Sequence, residues 1–241
     1  MTLVLTVSSA HMLIQNLFEG LIWLVVPLSM VICNDIWAYF FGFFFGRTPL
    51  IKLSPKKTWE GFIGGAFATV IFSIAWGYFL MQYKYFICPL EYSTEEGGFV
   101  YDCVPNAVFR LKQYALPGFL QDATALIYGS PIKHVSIYPY LLHVITMSLF
   151  ASFISPFGGF FASGFKRAFK IKDFASTIPG HGGLLDRVDC QLLNGIFVKV
   201  FYTSFVKSYQ PQRLIQQIAM LTLDEQTEIY TKLGQMLASA S

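Results

Sequence analysis

Charge is what this chain has least of. Only 13% of its 241 residues are Asp, Glu, Lys or Arg, about half the share of a soluble globular domain. With 54% hydrophobic residues and a mean hydropathy of +0.52, a single water-soluble core does not account for so much apolar sequence. The net charge of +3 is too weak to imply nucleic acid, and no such partner is expected. Cysteine is also scarce. Cys33, Cys88, Cys103 and Cys190 have none of the spacings of a zinc site. No basic segment precedes the apolar start, so a cleavable signal peptide is not expected. Internal repeats and low-complexity tracts are lacking too.

What is abundant is aromatic and aliphatic sequence, with 25 Phe and 13 Tyr, suited to lipid-facing and interfacial surfaces. The apolar residues fall into runs at Leu3–Phe18, Leu21–Phe45, Phe62–Leu80, Tyr138–Ala162 and Cys190–Phe205. A membrane-spanning helix needs about 20 residues, so the first and last runs are marginal. The second and fourth are longer than needed and contain Pro27, Gly42, Pro156, Gly158 and Gly159, which predicts kinks or breaks. Broken backbone at membrane depth is tolerated where it is buried in protein or lines a wet cavity. The expected fold is an all-α, polytopic transmembrane helix bundle with broken helices and a cytosol-facing site.

The cations sit in two places. Arg47, Lys52, Lys56 and Lys57 precede the third run, against Glu60 alone, and Lys166, Arg167, Lys170, Lys172 and Arg187 follow the fourth. Two spans separate these segments, so they share one side of the membrane, which the positive-inside rule makes the cytosol. The excursion 81–137 then faces the other compartment. If that compartment oxidises thiols, Cys88 and Cys103 could pair; two free thiols are the equal alternative. Cys33 and Cys190 read as packing residues, and the apolar stretch Ala115–Tyr128 as an interfacial segment. Residues 1–206 form the transmembrane domain, and 207–241 a cytosolic tail of two short helices. Pro211 starts the first. Thr222 to Glu225 is a capping box that opens the second, toward Leu237.

Chemistry concentrates between Ser163 and Asp189, where cations, three Asp, His181 and the cluster Gly180, Gly182 and Gly183 interrupt the apolar sequence. A solvated loop would explain the Lys and Arg, but not Asp186 and Asp189 directly behind Gly180, His181, Gly182 and Gly183. Asp186 and Asp189 are three apart and share one helix face, an arrangement that suits Mg²⁺ beside phosphate oxygens, with Asp173 as a third ligand. The glycines let backbone approach a phosphate, and a helix starting near Leu184 would aim its amides at the anion. Lys166, Arg167, Lys172 and Arg187 can neutralise phosphates. His181 could bond a phosphate or the nucleotide, or be purely structural.

Two further segments join it. Asn34 and Asp35 lie inside an apolar run, where an ionisable group marks a functional site by default; capping a second half-helix is the alternative. Ser54, Lys56, Lys57, Trp59 and Glu60 enter the third run ahead of Gly61, Gly64 and Gly65, which permit close helix approach. Lys56 and Lys57 alone would be a topology signal, and Trp59 alone an interface anchor.

Together these segments resemble the phosphatidate cytidylyltransferase (CDP-diacylglycerol synthase) family. Its pattern S-x-x-K-R, K-D and G-H-G-G-x-x-D-R-x-D is met by Ser163, Lys166, Arg167, Lys172, Asp173, Gly180, His181, Gly182, Gly183, Asp186, Arg187 and Asp189. Its N-D-x-x-A-Y segment is met from Asn34 to Tyr39, and its S-P-K-K-T-x-E-G segment from Ser54 to Gly61. The resemblance covers most of residues 30–205 and looks like the C-terminal portion of the animal endoplasmic-reticulum branch, whose members carry further spans before this region. It implies a multi-pass enzyme of the endoplasmic reticulum membrane, catalytic face cytosolic, transferring CMP from CTP to phosphatidic acid, with Mg²⁺ and a second cation such as K⁺. A homodimer is a candidate assembly. Catalytic roles fall to Lys166, Arg167, Lys172, Asp173, Asp186, Arg187 and Asp189, and metal binding to Asp35, Asp173, Asp186 and Asp189. Substrate binding falls to Asn34, Ser54, Lys56, Lys57, Glu60, Ser163, Gly180, His181, Gly182 and Gly183. The nearest competing reading is a CTP-dependent polyprenol or phytol kinase; a transporter or a scaffold leaves the acidic and glycine spacing unexplained.

Overall fold

Each apolar run becomes a helix. The computed structural model describes residues 2–51, 54–93, 98–100, 103–118, 121, 125, 129–131, 133–170, 185–207, 215 and 218–240. Its helices are α1 (Thr2–Glu19), α2 (Ile22–Phe45), α3 (Trp59–Leu80), the short α4 (Lys84–Ile87), α5 (Pro139–Phe153), α6 (Ser155–Ala168), α7 (Leu185–Phe201) and α8 (Leu223–Ala240). A π-type turn, Tyr202–Val206, follows α7. Among the described residues, α2, α3 and the tandem α5–α6 are long and apolar enough to cross a membrane, so the protein is a polytopic helical membrane protein. The chain divides into two compact units, Met1–Ser204 and Phe205–Ser241.

The second run does not break. Helix α2 continues through Pro27 to Phe45, which corrects the expected break there. Pro27 lies in the second turn, so its missing N–H strands only a carbonyl near the helix start. Asn34 and Asp35 are therefore mid-helix residues, and capping of a second half-helix is ruled out. The fourth run breaks as expected. Helices α5 and α6 meet at Ile154, and Pro156 occupies the first turn of α6, where a proline fits.

Helices α2 and α3 form an antiparallel hairpin closed by the two-stranded β1 (Pro49–Ile51) and β2 (Ser54–Thr58). Their crossing is close because Gly61 and Gly65 face Ala38. A Cβ at Gly61 would lie 2.5 Å from the Ala38 carbonyl oxygen, and one at Gly65 would lie 3.0 Å from Ala38 Cβ. Helix α3 packs on α5, α1 on α7, and α7 on both α2 and α6. The centre is an aromatic knot. Trp23 meets Tyr140 edge-on at 5.5 Å and Tyr202 at 4.9 Å, with Ile22, Val26, Val144 and Val198 fully buried around it.

The excursion 81–137 departs from a purely helical plan. It holds antiparallel hairpins β3–β4 (Glu91–Ser93, Gly98–Val100) and β5–β6 (Lys112–Ala115, His134–Ile137), with a 3-10 turn at Ala107–Phe109. Cys88 and Cys103 are disulfide-bonded, their Cα atoms 5.7 Å apart, which settles the open pairing. Cys33 and Cys190 are buried free thiols. The apolar stretch Ala115–Tyr128 lies largely outside the described residues.

In the second unit the capping box is present. Glu225 Oε2 accepts from the Thr222 amide at 3.0 Å and from its hydroxyl at 2.9 Å. The amide bond first, then the hydroxyl bond, hold the Glu225 carboxyl below its ordinary pKa. The helix runs to Ala240, past the expected end. The helix expected from Pro211 lies largely outside the described residues.

Candidate functional site

A cavity of about 300 Å³ opens where α2, the β2–α3 junction and α6 meet. Helix α2 supplies Asn34, Asp35, Ala38 and Tyr39; the junction supplies Lys57, Thr58 and Phe62; α6 supplies Pro156 and Phe160. Asn34 turns toward α3 and is 4% exposed, with the Thr69 hydroxyl 3.4 Å from its Oδ1. That hydroxyl donates to the Gly65 carbonyl at 2.7 Å, so Thr69 is held beside the amide. Asp35, one residue and about 100° further round the helix, is exposed and lines the cavity. The Lys57 ammonium stands 4.4 Å from the Phe160 ring centroid.

Helix α7 is locked beside this cavity by side-chain amides. Asn194 Nδ2 donates to the Pro27 carbonyl at 2.9 Å, and Gln191 Nε2 to the Leu28 carbonyl at 3.2 Å. Val198, further along α7, lines a small pocket with Trp23, so residue numbers rise on α7 as they fall on α2. The helices run antiparallel. Eight residues separate Asn194 from Asp186, and eight separate Pro27 from Asp35. At about 1.5 Å per residue on each helix, the backbone of Asp186 falls at the level of Asp35. From the other side, the Ser155 hydroxyl donates to the Cys190 carbonyl at 2.7 Å, which ties the start of α6 to the turn that carries Asp189.

The sequence-predicted residues therefore fall into three groups. Asn34, Asp35 and Lys57 are brought together in the cavity wall. Ser163, Lys166 and Arg167 lie on the last turns of α6, where cations complement the helix dipole, and Lys170, with φ of 55°, ends the helix. Asp186, Arg187 and Asp189 occupy the first turn of α7, which begins at Leu185. Their side chains, and those of Ser54 and Lys56 on β2, are not among those described. Lys172, Asp173, Gly180, His181, Gly182 and Gly183 lie outside the described residues.

Glu60 has a local task. Its carboxylate accepts from the amides of Arg47 and Thr48 at 3.2 and 3.3 Å and from the Thr48 hydroxyl at 2.7 Å. It binds the start of the α2–α3 connection to the first turn of α3 and does not line the cavity. Sequence reasoning named Tyr39 only as part of a motif and missed Phe62 and Phe160, because one phenyl ring among so many carries no signal. Pro156 was visible as a break, though not as cavity wall.

Among the described residues, no three potential metal ligands come together, and Asp35 alone of the four candidate carboxylates has a described side chain. The donor set is nonetheless all hard oxygen, which fits Mg²⁺ rather than a soft metal. Asp35 in the cavity wall, at the level of the first turn of α7, is compatible with that group.

Residues 1–205 match the model of the cytidylyltransferase family. The rat phosphatidate cytidylyltransferase 1 is 58% identical over 232 residues, covering 96% of this chain and 49% of the rat protein. The bovine phosphatidate cytidylyltransferase 2 is 56% identical over the same length, 96% of this chain and 51% of its own. The Caenorhabditis elegans phosphatidate cytidylyltransferase is 49% identical over 239 residues, 99% of this chain and 50% of the relative. The chain thus spans about half the length of the curated relatives it matches. On a family match through residue 205 and alignments that cover nearly the whole chain at 49–58% identity, the chain belongs to the cytidylyltransferase family.

Proposed function

We propose that this chain carries the catalytic region of a CTP:phosphatidate cytidylyltransferase, which makes CDP-diacylglycerol and pyrophosphate. The observation that supports it best is the convergence on one cavity of Asn34 and Asp35, Lys57, and the helix bearing Lys166 and Arg167, level with the first turn of α7. An oxygen of the phosphatidate phosphate attacks the α-phosphorus of CTP. A new P–O bond forms as the bond to the bridging oxygen breaks, and pyrophosphate leaves with that electron pair. The second pKa of a phosphate monoester is about 6, so the attacking group is largely dianionic and needs no strong base. Catalysis then rests on positioning and charge neutralisation. Lys166, Arg167, Lys172 and Arg187 are assigned to the phosphates of CTP, and Lys57, with Lys56, to the lipid phosphate. Asp35, Asp173, Asp186 and Asp189 would hold Mg²⁺, with K⁺ as a second cation, and the metal would neutralise charge on the triphosphate. His181 and the glycines around it are assigned to the nucleotide.

In this reading the site faces the cytosol from the endoplasmic reticulum membrane, with the excursion 81–137 in the lumen. The Cys88–Cys103 disulfide supports that orientation, because such bonds persist in oxidising compartments. The test uses CTP labelled separately at the α and γ phosphorus, given to the membrane-reconstituted chain with phosphatidic acid. Label should reach lipid from the α position only. Transfer from γ alone would establish kinase chemistry instead.

A further inference from the structure

Phe160 lines the cavity from α6, and the Lys57 ammonium over its ring is well within the reach of an aromatic quadrupole. The ring is itself braced, since Phe157 meets it edge-on at 5.5 Å. A lysine stem has many rotamers, and Lys57 is otherwise exposed. The ring therefore selects one place for the charge, at the cavity rim and on the same wall as Asp35. Phe160 precedes Ser163 by three residues and Arg167 by seven, a spacing that puts all three on one helical face.

The surroundings of Lys57 indicate which anion it meets. Leu50, Tyr39, Phe62 and Phe160 line the wall beside it. Trp59 meets Phe62 edge-on at 6.1 Å, and Trp59 and Ile63, four residues apart on α3, are 50% and 59% exposed. Trp59 opens α3, the level at which aromatic residues mark the membrane interface. A nucleotide base can stack on a single ring, but aliphatic and aromatic side chains together at the interface level suit a phosphate carried on two acyl chains.

We propose that Phe160 is a positioning residue. Its ring holds the Lys57 ammonium where it meets the phosphate monoester of the lipid substrate, and not the triphosphate. The assignment rests on the cytidylyltransferase reading and names the half of that site to which Lys57 belongs.

The test is steady-state kinetics of the full chain in mixed micelles. Phe160→Leu should raise the KM for phosphatidic acid about 3- to 10-fold and leave the KM for CTP within about twofold of wild type. Phe160→Tyr, which keeps the ring face, should restore the wild-type value. In a Lys57→Met background, Phe160→Leu should add nothing, because there is no cation left to place. Phe161→Leu, at a residue 72% exposed, serves as the control. If Phe160→Leu does not insert stably, Phe160→Met carries the same comparison. A KM rise confined to CTP, or an effect that simply adds to that of Lys57→Met, would overturn the proposal.

Equilibrium binding of dihexanoyl phosphatidic acid, referenced to dihexanoyl phosphatidylcholine, needs no turnover. Weaker binding of phosphatidic acid by Phe160→Leu, with no CTP-dependent labelling by wild type, would overturn the proposed function and leave the positioning role standing. Unchanged binding alongside normal wild-type turnover would overturn the positioning role alone.

Discussion

The two halves of α2 meet opposite demands. From Ile22 to Met30 the helix is packed solid. Ile22, Val26 and Met30 are fully buried, Trp23 sits in the aromatic knot, and the Pro27 and Leu28 carbonyls are taken by α7. Beyond Asn34 most side chains are exposed, including Asp35, Trp37, Tyr39 and Phe43, and the helix borders the cavity. The packing is concentrated at one end of the helix, and the other end is left to border the cavity. Substitutions in the first half should therefore act on stability, and those in the second on turnover.

The largest expected effect tests the second half together with the first turn of α7, which lies level with it. Asp35→Asn, Asp186→Asn and Asp189→Asn should each lower CTP-dependent lipid labelling by about 100-fold or more, with membrane insertion and melting temperature unchanged. Near-normal labelling in all three would break the assignment. Next comes the first half. Trp23→Ala should destabilise the unit Met1–Ser204 by about 3–5 kcal/mol, read as a lower melting temperature in detergent. Turnover per folded molecule should be retained at low temperature, and a selective loss of turnover there would erase the contrast between the halves. Removing the disulfide with Cys88→Ser should cost about 3 kcal/mol for a loop of this size, where the bridged residues are 15 apart. A reductant should reproduce the shift in wild type and have no further effect on the variant.

The smallest effect lies outside both halves, in the capping box of α8. Hydrogen bonding holds the folded Glu225 pKa below its unfolded value. Its stabilisation is therefore complete above an unfolded carboxyl pKa of about 4.3 and is lost as pH falls through the depressed folded value. Protection of the first-turn amides of α8, corrected for intrinsic exchange, should fall on acidification across that window, and Glu225→Gln, which keeps an acceptor without a titrating charge, should show no such fall.

Much of this was legible in advance, and the physical reason differs from residue to residue. The runs that became α2, α3 and α5–α6 were clear because bilayer thickness imposes a length that few soluble segments reach. The capping box was clear because its two partners sit three residues apart in sequence. Gly61 and Gly65 announced a close crossing, since that residue type is not casual at such depth, and Asp35 stands in the cavity wall. The break expected at Pro27 did not occur. A proline weakens a helix locally, but the continuation of α2 is decided by where in the helix the proline falls and by what packs on it. Phe160 and Phe62 were illegible for the reverse reason: their importance comes from a neighbour distant in sequence, and nothing local marks it. Glu60 drew notice through its motif, and its hydrogen bonds to Arg47 and Thr48 show a structural task that the motif alone did not reveal.

The amide clamp between Asn194 and Pro27 turns α7 into a lever. Its fulcrum lies eight residues from Asp186, an arm of about 12 Å. A tilt of about 5° about that point would carry the backbone at Asp186 by about 1 Å, a displacement that can change a reaction rate about 100-fold. Whatever bends, loosens or braces the contact of α7 with α2 thus has its far end at Asp186, one of the residues assigned above to the proposed metal site. The buried Asn194 amide sets the trim of that turn.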